Sequence, residues 1–200
     1  PEDKVEWLEA ENNPEDETRG TREMPFGREL FIERSDFMED APKKFFRLTI
    51  GGEVRLKAAY IIKAESLVKD AHGNITEIRC TYIADSRSGS GTEASQRKVK
   101  ATIHWVEATN AVPVEVRLYD RLFNHEDPGG QDDDFKNYLN PGSLKVLKEC
   151  LAEPSICGLK PQDRVQFQRQ GYFCVDLDSK PNHIIFNRTV TLKDDWAKIN

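Results

Sequence analysis

Residues 46–58, FRLTIGGEVRLKA, and residues 165–175, VQFQRQGYFCV, decide how this chain is read. Each alternates Arg, Lys or Gln with apolar side chains at the two-residue period of a β-strand. A row of guanidinium and carboxamide groups is poor core material, because burying such groups without partners is costly. Beside aromatic residues the same row suits unpaired RNA bases, whose edges hydrogen-bond and whose faces stack. If the strands flanking Gly51-Gly52 pair with each other, Arg47, Thr49, Arg55 and Lys57 project on one face. That pattern also suits a charged, solvent-facing sheet surface. In the second stretch Gln166, Gln168 and Gln170 alternate with Phe167 and Arg169. A Gln offers a base both a donor and an acceptor, and an Arg adds charge-assisted bonds to base edges or phosphates. Tyr119, Phe123, Tyr172 and Phe173 are rings suited to stacking on bases or to filling a core.

Working outward, strand patterns recur with little helical period. Residues 60–69 and 75–83 flank the turn Asp70-Ala71-His72-Gly73-Asn74 and predict a hairpin. A Ser/Gly loop over 85–96 precedes an alternating run in which Val99, Ala101, Ile103 and Trp105 oppose Lys98, Lys100, Thr102 and His104. Residues 30–32, 45–50, 113–118, 144–150, 164–176 and 184–192 also read as strands, with one short helix near 135–139. Many short strands between Gly, Pro, Asn and Asp turns predict an all-β chain of two tandem antiparallel β-barrels with little helix. The expected division is an acidic lead-in over 1–22, extended or mobile, a first barrel over 23–110 and a second over 111–200, with strands free to exchange between them.

The formal net charge of −6 resides in residues 1–23, which hold nine acids against Lys4, Arg19 and Arg22; the rest carries 26 acids and 26 bases. Local basic patches therefore remain compatible with an acidic chain. Cys80, Cys150, Cys157 and Cys174 form no CxxC pair, so they read as free, mostly buried thiols in a reducing cytoplasm, and no metal site is expected. Asp132-Asp133-Asp134 reads as a solvated loop, not a cation site. His104 reads as surface or as an RNA contact. No phosphate loop, dinucleotide fingerprint or nucleophile elbow occurs, so no catalytic residue is expected. No apolar run approaches the roughly 20 residues that span a bilayer, so a membrane is not an expected partner. The opening PEDKVEW suggests a piece of a longer polypeptide.

At these residues the chain strongly resembles the C-terminal anticodon-binding region of glutaminyl-tRNA synthetases, a pair of β-barrels attached to a class I catalytic core. The likeness is carried by 44-KFFRLTIGGEVRLKAAYIIKAE-65, 112-VPVEVRLYDRLF-123, 163-DRVQFQRQGYFCVD-176 and 186-FNRTVTLKDDWAK-198. The archaeal and eukaryotic type of glutamyl-tRNA synthetase shares these barrels, and ribosomal protein L25, a stand-alone 5S rRNA binder, is similar in fold. The resemblance implies that tRNA of the glutamine isoacceptors is the partner, not DNA, and that three unstacked anticodon bases enter separate pockets. It implies Arg47 for the third base, a guanine, Arg55 and Lys57 near the first, a pyrimidine, and Gln166 and Arg169 at the middle uridine. Gln168, in the same segment, stands where some relatives carry Glu, and Lys57 stands where relatives carry Arg, which removes a bidentate contact. It implies no cofactor in this segment. ATP and Mg, and the adenylation motifs missing here, belong to the N-terminal catalytic core of an intact glutamine–tRNA ligase.

Overall fold

Alternation at the strand period builds nearly all of the regular structure. The computed structural model, which describes residues 4–192, is all-β, with thirteen strands, five short 3-10 turns and one helical turn at Glu93–Gln96 among those residues. The chain divides into two compact units between Ala111 and Val112. Among the described residues no helix is long and apolar enough to cross a membrane.

The first unit holds β1 (Glu6–Glu11), β2 (Thr21–Phe26), β3 (Leu30–Ile32), β4 (Glu53–Leu56), β5 (Ile61–Lys69), β6 (Ile75–Tyr82), β7 (Thr102–Ile103) and β8 (Trp105–Glu107). They form two two-stranded sheets, β1-β2 and β3-β8, and a four-stranded sheet in the order β6-β5-β4-β7. Val54, Leu56, Ile103 and Trp105 point into one core with Phe37 and Leu48. The Trp105 indole N–H donates to the Lys57 carbonyl at 2.9 Å, so this largest core side chain leaves no polar atom unpaired. The predicted 60–83 hairpin is present as β5-β6, because Gly73 supplies the left-handed residue that its connection needs.

Two expectations change here. The acidic segment is not a lead-in outside the fold: β1 buries Leu8 and Ala10 in the core and leaves Glu9 and Glu11 in solvent, so its acids are the outer face of a strand. The stretches on either side of Gly51-Gly52 do not pair with each other. Gly52 N–H bonds back to the Thr49 carbonyl, and Gly51 is the one left-handed residue of that turn. A single positive φ at the third turn position is the type II pattern, which splays its flanking segments instead of closing a twisted hairpin. Ile50 and Gly51-Gly52 bond to Ala64 of β5 instead, and β4 pairs with β5 and, in parallel, with β7.

The second unit holds β9 (Val112–Tyr119), β10 (Leu144–Ala152), β11 (Arg164–Phe167), β12 (Gly171–Val175) and β13 (Ile184–Val190), in one sheet ordered β10-β9-β13-β12-β11. β13 sits in the middle, parallel to β9 and antiparallel to β12. Its Phe186 is wholly buried with Val114, Val116, Phe173 and Val175, and Phe167 closes on Phe173 and Phe186 with ring centroids 4.6 and 4.9 Å away. The sheets of both units are open and include two parallel pairings, where closed antiparallel barrels were expected. Residues 193–198 of the FNRTVTLKDDWAK segment lie outside the described residues. The cysteines are free, but Cys80 and Cys157 are exposed and the other two half-buried, so they are less buried than expected.

Candidate functional site

Three turns of one design recur in the candidate segments, and two of them carry Lys57, Gln168 and Arg169. In Thr49–Gly52, Leu56–Ala59 and Phe167–Gln170 the fourth residue's N–H donates to the first residue's carbonyl. In each the third residue is left-handed: Gly51 at φ 71, Ala58 at φ 58 and Arg169 at φ 67. Lys57 and Gln168 occupy the second positions of their turns. A side-chain-bearing residue in this conformation is held at a cost of about 1–2 kcal/mol, so Ala58 and Arg169 mark backbone that the surrounding bonds over-determine.

Arg47 precedes Leu48, whose N–H donates to the Asp36 carbonyl and which bridges to Phe37. This brings the Arg47 Nε to 3.1 Å from Oδ1 of Asp36, a carboxylate with no exposed surface, while Nη1 donates to the Phe46 carbonyl at 2.8 Å. The Nη2 group has no partner among the described residues, and the side chain remains 36% exposed. A buried acid thus fixes the guanidinium and leaves one edge of it to solvent. Sequence reasoning missed Asp36 as the buried partner of Arg47, because a lone acid in the polar run ERSDFMED reads as surface.

Arg55 is different. Its Nη1 donates to the Ser86 carbonyl at 2.8 Å and to Ser88 Oγ at 3.3 Å, and its Nη2 donates to the carbonyls of Ser95 at 2.8 Å and Arg97 at 3.4 Å. Burial lowers its pKa from the ordinary arginine value, with Arg97 adding a smaller repulsion, and it stays a cation. This side chain clamps the 86–97 loop. Lys57, half-buried, makes no ion pair or side-chain hydrogen bond among the described residues. Arg47 and Arg55 therefore do not share the face that a hairpin across Gly51-Gly52 would have given them.

In the second unit Gln166 lies on β11 with its Cα opposite that of Tyr172 on β12, so the two side chains project from one face. Both are exposed, Tyr172 at 47%, and the Gln166 carboxamide has no partner among the described residues. Gln168 is half-buried, also without a partner, and Arg169 is exposed at the turn. The expected alternation therefore stops at Phe167, since residues 168–170 are the loop and not strand. Gly171 follows at φ 143, where a Cβ would lie 2.6 Å from the Val190 carbonyl oxygen, so only glycine lets β12 pass. Of the four rings, Tyr119 and Tyr172 are exposed, Phe173 is core, and Phe123 is half-buried against Phe135.

Across β9 and β13, polar side chains of that outer face are paired with one another. Arg117 donates to Glu115 at 2.8 Å and to Asp176 at 3.4 Å, Asn187 donates to Asp176, and the Tyr119 hydroxyl donates to Asn187 at 3.1 Å. The Asp178 N–H and the Asn187 amide hold the Asp176 carboxyl below its ordinary range. The face therefore offers a free carboxamide and an exposed ring beside a self-satisfied network, a surface suited to a flat heterocycle with a hydrogen-bonding edge.

Comparison with known proteins agrees with this chemistry. A family profile described as "tRNA synthetases class I (E and Q), anti-codon binding domain" matches residues 1–83, and a second profile with the same description matches residues 102–176. A glutamine–tRNA ligase of Rhodopirellula baltica is 53% identical over 201 residues, covering 100% of this chain and 33% of that protein. Those of Nitrobacter winogradskyi and Vibrio vulnificus are each 50% identical, covering 100% of this chain and 35% of their own length. The chain thus spans about a third of the length of these curated relatives.

Proposed function

The chain belongs to the anticodon-binding domains of the class I (E and Q) tRNA synthetases, and from that membership we propose that it reads the anticodon of glutamine tRNA for a glutamine–tRNA ligase. The two units act as the two anticodon-binding domains. Gln166, Gln168 and Arg169 receive the middle base, Arg47 the third, and Lys57 lies near the first with Arg55 behind it. The observation that carries the proposal is Gln166 beside Tyr172, an unpaired carboxamide next to an exposed ring on a sheet whose glycine-dependent turn fixes both.

Specificity then follows from hydrogen-bond satisfaction. A correct base pairs the polar groups that it covers, whereas a wrong base leaves them desolvated and unpaired at about 1–3 kcal/mol each. Catalysis belongs to the core of the whole enzyme, which in this proposal uses ATP and Mg. Among the described residues no three His, Cys, Asp or Glu side chains gather as a metal site. A stand-alone L25-type barrel is not favoured, since both matched profiles are synthetase domains, and the relatives named above are glutamine rather than glutamate ligases.

The test is aminoacylation by the intact ligase of tRNA with a glutamine anticodon and of the same tRNA altered only at the middle base. We expect kcat/KM to fall by about tenfold to hundredfold on the altered tRNA. Equal efficiency on the two would remove the proposal.

A further inference from the structure

The alternating run before β7 carries two lysines that the anticodon-reading residues leave unused. Residues 97–101 lie alongside β4, held by the Arg55 N–H on the Ala101 carbonyl at 2.9 Å and by the Arg55 guanidinium on the carbonyls of Ser95 and Arg97. Between this segment and the Gly51-Gly52 turn is an open cleft of about 540 Å³, lined by Gly51, Gly52, Glu53, Lys98, Val99 and Lys100. Glu53, the one acid of the lining, is already paired with Arg97 at 2.7 Å. Lys98 and Lys100 are exposed, both line the cleft, and neither makes an ion pair or hydrogen bond among the described residues. The Gly51 and Gly52 N–H groups are spent on Ala64 and Thr49, so the positive charge of the cleft comes from side chains alone.

Two unpaired ammonium groups on a segment tethered at Arg97 and Ala101, beside an acid that is already paired, form a seat for an anion. Lys acts at phosphate as a compact point charge, without the geometric demand of a base edge. Resting on the RNA-reading function above, we propose that Lys98 and Lys100 hold phosphodiester groups of the RNA strand in the cleft beside the Gly51-Gly52 turn, with Arg55 as the positioning residue that fixes their segment. The cleft sets register and affinity and carries no sequence information.

The experiment measures tRNA affinity of the intact ligase against salt concentration, for wild type, Lys98→Gln/Lys100→Gln, Arg55→Ala and the triple variant, on cognate tRNA and on tRNA altered at the middle base. In the double variant the slope of log affinity against log salt should shrink by about 0.7 for each phosphate given up, with both tRNAs weakened alike. Arg55→Ala should shrink it in the same direction, and adding it to the double variant should shrink it no further. An unchanged slope and affinity in the double variant would mean that the lysines only shield the short edge strand β7, and the proposal falls. Loss confined to cognate tRNA would mean a base contact and also overturns it. A further drop in the triple variant would overturn the positioning role of Arg55. Failure of the parent function appears elsewhere, as a wild type that binds both tRNAs equally, and the slope remains readable in that case.

Discussion

Arg47 and Arg55 are chemically identical and are put to different uses by their surroundings. Arg47 is tethered at one edge by buried Asp36 and open at the other, the arrangement of a side chain prepared to meet a ligand. Arg55 spends its guanidinium on four acceptors of its own chain. Arg47→Ala in the intact ligase should relax discrimination at a single anticodon base by about 1–3 kcal/mol, read as the ratio of kcat/KM between cognate tRNA and tRNA altered at that base. Uniform weakening on every tRNA would instead assign Arg47 to a phosphate. Stability should fall as well, because the Asp36 carboxylate stays buried when its guanidinium is removed.

Among the elements, the β1-β2 hairpin shows how a strand hides in an acidic segment. Tyr60 donates its hydroxyl to Glu6 at 2.7 Å and packs its ring 4.9 Å from Phe26, so one side chain fastens both strands of that hairpin to the core. Burial first, and then the Glu6 carboxylate, push the Tyr60 pKa up to about 12. A raised folded value means that its contribution is intact below the unfolded value of about 10 and is lost as pH rises from there toward 12. Alkaline unfolding monitored in that window should therefore lose its Tyr60 component in Tyr60→Phe, and an unaltered profile would show that the hydroxyl is not linked to stability. The 60–83 hairpin was legible because alternation and a Gly-Asn turn agree. The 46–58 stretch misled because alternation fixes which side chains share a parity but not which strand lies beside which. Turn geometry at Gly51 and long-range pairing with Ala64 decided that. In the same way the Gln166 pairing with Tyr172 was half visible: the residue types stood out, while the loop at 168–170 that brings them face to face was read as strand.

For the whole molecule, the central position of β13 governs the second unit. Phe186→Ala on that strand removes a fully buried ring from the middle of the core, and urea unfolding should show about 3–5 kcal/mol lost. A loss below about 1 kcal/mol would contradict the packing described. Until residues 184–190 are made, β9-β10 and β11-β12 are two separate hairpins with nothing between them, because the strand that joins them is the last of the five to be translated. A ribosome stalled after Val175 and before Ile184 therefore leaves β9 and β12 each with the edge that β13 would cover, the condition in which chaperones engage and neighbouring chains cross-pair.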